Sequence, residues 1–111
     1  MLYTIEFASE TREHLTALTA RQRALVLDNV ERRLRHDAAV ETRNRKPMRP
    51  KSLAGWELRV ADLRVYYDVV EVPQRIVVVR AVGVKERERV RIGNRQVGYE
   101  VLQDDEDAGR R

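Results

Sequence analysis

Cysteine is absent from the 111 residues, which excludes a disulfide framework and a thiolate metal site. That usage fits a reducing compartment, and a cytoplasmic location is the expectation. Histidine is scarce: with only His14 and His36, a histidine-rich metal centre is not expected. No apolar run approaches the ~20 residues needed to cross a bilayer, so no membrane segment is expected. The first residues, MLYTIEFASE, show neither the basic start nor the apolar stretch of a signal peptide. The length suits one domain with a single modest core.

What the chain has in quantity is charge. The formal net charge is +4, but its distribution is uneven. Arginine and lysine gather between Arg32 and Lys51 and again between Arg80 and Arg95. Asp104, Asp105, Glu106 and Asp107 stand together in the tail. Without that tail the folded part is more basic than the total indicates. A basic surface favours polyanions, either nucleic acid or an acidic protein. The plainer alternative is a solvated, arginine-rich face.

Residues 2–7, LYTIEF, alternate in polarity and predict a half-buried strand. Ser9 is placed to cap a short helix over 10–18, with Leu15 and Leu18 inward. Thr19 and Gln22 have capping-box spacing, so a second helix starts there, its inner stripe expected at Ala24, Leu27, Val30 and Leu34. The short step between the helices predicts an antiparallel pair. Residues 37–55 lack a sustained period. Pro47 and Pro50 bar a helix, leaving a basic loop. Strand-like runs follow at 56–60, 63–72 and 75–84, with a further extended piece near 96–102. Residues 103–111 read as an acidic tail without fixed structure, appended to a domain over 1–102. The predicted class is α+β: a small antiparallel sheet of roughly three to five strands, with a two-helix hairpin on one face only.

The stretch WELRVADLRVYYDVV, 56–70, predicts a tight hairpin. If Ala61-Asp62 is the turn, Val60 meets Leu63, Arg59 meets Arg64, Leu58 meets Val65, Glu57 meets Tyr66 and Trp56 meets Tyr67. Trp56, Leu58, Val60, Leu63, Val65 and Tyr67 then share the core face. Glu57, Arg59, Arg64 and Tyr66 share the other. Opposed like charges cost up to ~1 kcal/mol on a sheet. Two converging guanidinium groups suit a phosphate, which would justify that cost. The alternative is that both arginines point into water, or that Glu57 neutralises one of them. Lys85, at the end of the last long strand, is expected near the same face, followed by Arg87, Arg89 and Arg91. A solvated strap is the plainer reading of residues 86–95.

Two segments, RKPMRPKSLAGWELRVADLRVYYDV (45–69) and RAVGVKERERV (80–90), resemble toxins of the RelE/ParE superfamily, from bacterial type II toxin–antitoxin systems. The resemblance covers residues 2 to about 101, and it implies the β-α-α-β-β-β order. It also implies two activities. RelE-like members resemble small ribonucleases that cut mRNA in the ribosomal A site. ParE-like members bind DNA gyrase. Both are neutralised by an antitoxin, so a cognate antitoxin is the expected partner, with mRNA and ribosome, or gyrase, as the target.

On the RelE-like reading, Arg64 matches the family's hairpin arginine, Arg59 a basic position on the preceding strand, and Lys85 a basic position after the last strand's glycine. These three would form the phosphate clamp. Lys46, Arg49 and Lys51, with Arg87, would touch RNA, and Tyr66 would stack on a base or serve as a hairpin aromatic. Glu57 stands where one type of member has lysine, and is a candidate general base or an ion-pair partner. Met48 falls where some relatives place a glutamate base. The Tyr or His that many carry as acid is missing from Glu88-Arg89-Val90-Arg91. Lys85 is left as the acid, since arginine is a poor proton donor. No cofactor or metal is expected, because the cationic clamp supplies the charge a divalent ion would. A homologue without activity is a third reading.

Overall fold

The computed structural model describes residues 2–98. The acidic tail and the part of the last extended piece beyond residue 98 lie outside them. The elements are β1 (Thr4–Phe7), α1 (Thr11–Thr16), α2 (Ala20–Asp37), β2 (Arg45–Pro47), β3 (Trp56–Val60), β4 (Leu63–Val70), β5 (Ile76–Glu86), β6 (Arg89–Ile92) and β7 (Arg95–Gly98).

The sheet has seven strands among the described residues, more than the three to five expected. It runs β2-β3-β4-β5-β6-β7 with antiparallel neighbours, and β1 joins β5 in parallel. The sheet is therefore not wholly antiparallel. A parallel pair needs a long crossover, and the helices lie within the chain between β1 and β5. β1 pairs with β5 over Ile76–Val79 and β6 pairs over Gly83–Glu86. The two therefore lie end to end along one edge of β5, while β4 occupies the other.

Local chemistry explains most boundaries. Thr19 and Gln22 form the reciprocal capping box: the Thr19 side chain accepts from the Gln22 N–H, and the Gln22 side chain accepts from the Thr19 N–H. Ser9 does not cap α1. The N-cap is Glu10, and the Thr11 hydroxyl donates back to the Ala8 carbonyl at 2.6 Å. On α2 the buried stripe is Val26, Val30 and Leu34, continued by Ala38. Ala24 is exposed and Leu27 is 39% exposed, so the expected stripe is corrected by a rotation of the helix.

That stripe packs against Leu58, Leu63, Val65, Tyr67, Val77, Val79, Val82 and Val84, with Trp56 and Val60 at the margin. The core face read from the hairpin is the one observed. Tyr67 stacks with Trp56 at 6.3 Å and donates its hydroxyl to the Ala38 carbonyl at 2.7 Å, tying the sheet to the end of α2. Among the described residues no helix lies across the opposite face, although His14 of α1 reaches its edge, and the face is not bare. Ala54, Tyr66, Ala81 and Val90 form a second small core there, bordered by Met48, Ile92 and Val97. The segment 48–55 and the β6–β7 hairpin close over that face.

The β6–β7 hairpin is where the sequence suggested a solvated strap. Ile92 pairs with Arg95 across Gly93-Asn94, and Gly93 has φ +65°. The two-residue Gly-Asn step between Val90/Ile92 and Val97 is the local hairpin signal in the sequence.

Candidate functional site

The β3–β4 register agrees with the count at every position, Arg59 opposite Arg64 included. The turn is Ala61-Asp62, with Ala61 at φ 54°. β4 carries the row onward: Arg64 is opposite Gly83, and Tyr66 opposite Ala81. The Lys85 N–H donates to the Asp62 carbonyl at 2.7 Å, which brings the end of β5 beside the hairpin turn. Arg59, Arg64 and Lys85 thus stand at one end of the helix-free face.

The side chains resolve the opposed charges without a ligand. Arg59 Nε donates to Glu57 Oε1 at 2.8 Å, and Glu57 is 0% exposed. Arg64 turns toward the hairpin turn, where one terminal nitrogen donates to the Ala61 and Leu63 carbonyls, each at 2.8 Å. Its Nε is buried and finds no hydrogen-bond partner among the described residues. Lys85 Nζ donates to the Arg87 carbonyl at 2.6 Å. One arginine is neutralised by a buried carboxylate, and the other is drawn off by carbonyl dipoles. Folding alone therefore accounts for much of the apparent like-charge cost.

Two candidates change role. Tyr66 is 0% exposed at the centre of the second core, so it presents no ring face to a base. Glu57 is inaccessible to a substrate hydroxyl and acts as the anchor of Arg59. The remaining candidates lie around the clamp. Lys46, on β2, pairs with Glu57 in register and lies 3.6 Å from Glu41. Arg49 and Lys51 are exposed on the segment before β3. Arg87 is exposed in the β5–β6 turn with φ 61°. Asp68 fastens the 48–55 segment to the sheet. One of its oxygens accepts from the Gly55 N–H at 2.7 Å, and the other accepts from Arg80 Nε at 2.9 Å.

Sequence reasoning missed His14. β5 carries a bulge where Tyr66 and Tyr67 face Ala81 and Val79, leaving Arg80 as the extra residue. Between the β1 and β6 pairings, the Val82 N–H donates to His14 Nδ1 at 3.3 Å. Burial lowers the His14 pKa below its ordinary value, against the opposing pull of Glu10 and Glu13. No spacing in the sequence links residues 14 and 82.

No family model and no curated protein matches the chain. Among solved structures, a chain of the toxin–antitoxin complex RelBE2 from Mycobacterium tuberculosis is similar to it. The two are 24% identical with a TM-score of 0.67, over 77% of this chain and 100% of that one. The likeness establishes a shared fold.

Proposed function

We propose that the chain is the toxin of a type II toxin–antitoxin pair, a RelE-like endoribonuclease that cuts mRNA on the ribosome in the cytoplasm and is silenced by its antitoxin. The observation that carries the reading is the gathering of Arg59, Arg64 and Lys85 at one end of the helix-free sheet face. A fold shared with a chain of a toxin–antitoxin complex supports it. Among the described residues, no helix is long and apolar enough to cross a membrane.

In this mechanism the 2′-hydroxyl gives its proton to water and attacks the adjacent phosphorus, negative charge builds on the phosphoryl oxygens, and the bond to the 5′-oxygen breaks to leave a 2′,3′-cyclic phosphate and a 5′-hydroxyl end. Arg64 exchanges its two carbonyl partners for that charge, a stronger acceptor than a neutral carbonyl. Lys85 lies alongside and supplies the proton to the leaving oxygen. Glu57 holds Arg59 in place rather than acting as base. Lys46, Arg49, Lys51 and Arg87 position the RNA backbone. With no dedicated base assigned, the rate depends on the ribosome aligning the attacking hydroxyl.

One observation favours a second reading, a binding-only inhibitor of DNA gyrase: the single acid singled out as a base is buried. Induced expression separates the two. Under the first, protein synthesis stops and mRNA is cut, and Arg64→Ala lowers cleavage ~10²–10³-fold. Under the second, DNA synthesis fails first while mRNA stays intact. The Arg64→Ala protein itself should lose about 1–3 kcal/mol of stability, because it gives up two hydrogen bonds to backbone carbonyls.

A further inference from the structure

A cavity of about 470 Å³ opens beside the β5 bulge, away from the opposed arginines. Its size falls in the range of small-ligand sites. His14 and Glu10 of the α1 region form one wall. Arg80, Arg95, Lys51 and the Glu10 carboxylate line it, and Arg80 is ion-paired to Asp68 behind it, which leaves the lining net cationic. Ile92 and Val97 supply an apolar side.

Three features distinguish this from a charged surface. The bulge re-aims Arg80 out of the strand's alternation, and Asp68 holds its guanidinium at 2.9 Å. The His14 ring is fixed by the Val82 N–H on Nδ1, so the neutral ring carries its proton on Nε2 and is a donor there. Gly93, with φ +65°, brings the β6–β7 turn against that ring: a Cβ on it would lie 3.5 Å from His14 Cδ2. Cationic groups, a fixed imidazole donor and an apolar wall together suit a ligand with a phosphate at one end and a flat ring at the other.

We propose that this cavity binds a phosphorylated nucleoside, its phosphate against Arg80 and Arg95 and its base against Ile92 and Val97. The same chemistry is offered by a free nucleotide and by one nucleotide of an RNA strand. The inference goes beyond the cleavage reading and shares only Lys51 with it, because Arg59, Arg64 and Lys85 do not line the cavity.

The chain has two histidines, which makes the test direct. Imidazole NMR signals of the full chain are followed during titration with adenosine monophosphate, adenosine, inorganic phosphate and a short single-stranded RNA lacking a terminal phosphate. His14 should move on adding the monophosphate while His36, exposed on α2, stays still. Adenosine and phosphate should each bind at least about tenfold more weakly. Arg95→Glu should weaken the monophosphate about tenfold or more, Arg95→Lys much less, and Arg32→Ala, exposed on α2, not at all. Movement with the RNA but not the monophosphate assigns the pocket to a nucleotide within a strand. Phosphate binding as well as the nucleotide would reduce the site to a cation cluster and overturn the proposal. A His14 signal unmoved by every probe, or Arg95→Glu binding like the native chain, would overturn it too.

Discussion

Val82 would present an unsatisfied N–H to the gap between β1 and β6 if the His14 imidazole did not accept from it. That acceptor role needs a neutral ring, and burial favours the neutral form further, lowering the pKa from its ordinary 6.5. Glu10 and Glu13, the carboxylates near the ring, pull the other way and are outweighed. The sign of the linkage follows. Above pH 6.5 the ring is neutral in both folded and unfolded chains, and its contribution is fully present. As pH falls, the unfolded chain takes up the proton first, so stability drops until the folded ring also titrates. Urea unfolding at pH 7.5 and at pH 5 should show a larger loss for the native chain than for His14→Ala. Equal losses would remove His14 from the account. This residue was illegible in the sequence because its partner is a backbone group on a distant strand. Arg59 and Arg64 were legible as a pair because a two-residue turn makes register a matter of counting. Their partners were not, since only the folded chain decides whether Glu57 is buried beside Arg59.

At the scale of elements, α2 shows why period alone leaves a helix face undecided. Ala24, Leu25, Val26 and Leu27 are consecutive, so more than one stripe fits a helical repeat. The sheet chose Val26, Val30 and Leu34. Leu34→Ala should therefore cost about 2–5 kcal/mol, as fully buried leucines do, while Leu27→Ala should cost less than about 1 kcal/mol. Equal midpoint shifts in denaturant would contradict the assigned face. The start of α2 was legible because a capping box is local. The β5–β6 contact is as demanding as the α2 core. A Cβ on Gly83 would lie 2.6 Å from the Arg91 carbonyl oxygen and 2.7 Å from a Val90 methyl. The first of those atoms is backbone and cannot turn aside. Gly83→Ala should thus destabilise by about 1–3 kcal/mol, the cost of overpacking, measured as a shift in urea midpoint. The glycine beside Arg64 is needed for the approach of β6, which also brings Val90 over Tyr66.

Across the whole molecule, the α+β class and the helix-free face followed from hairpins and caps, all short-range. The parallel docking of β1 on β5 did not, because it joins segments by long-range contacts; the β6–β7 hairpin has a local Gly-Asn signal, but its closure against Ala54 and Tyr66 does not. That closure concentrates the exposed charge. Tyr66, Ala81 and Val90 seal the middle of the face, and the clamp lies at the hairpin end of it. A surface built this way should hold single-stranded RNA mainly through phosphates. If about four of its basic groups each neutralise one, log K should fall with log salt at a slope of about −3. An oligonucleotide with a 2′-deoxy sugar at the cleavage position keeps binding separate from cutting. Arg49→Ala should then weaken binding across sequences and reduce the slope by about 0.7, because a phosphate contact carries charge and no base readout. Binding that ignores salt would mean that the face recognises its target through apolar contact. The gyrase reading, in which the same residues meet a protein, would then be the better account of the opposed arginines.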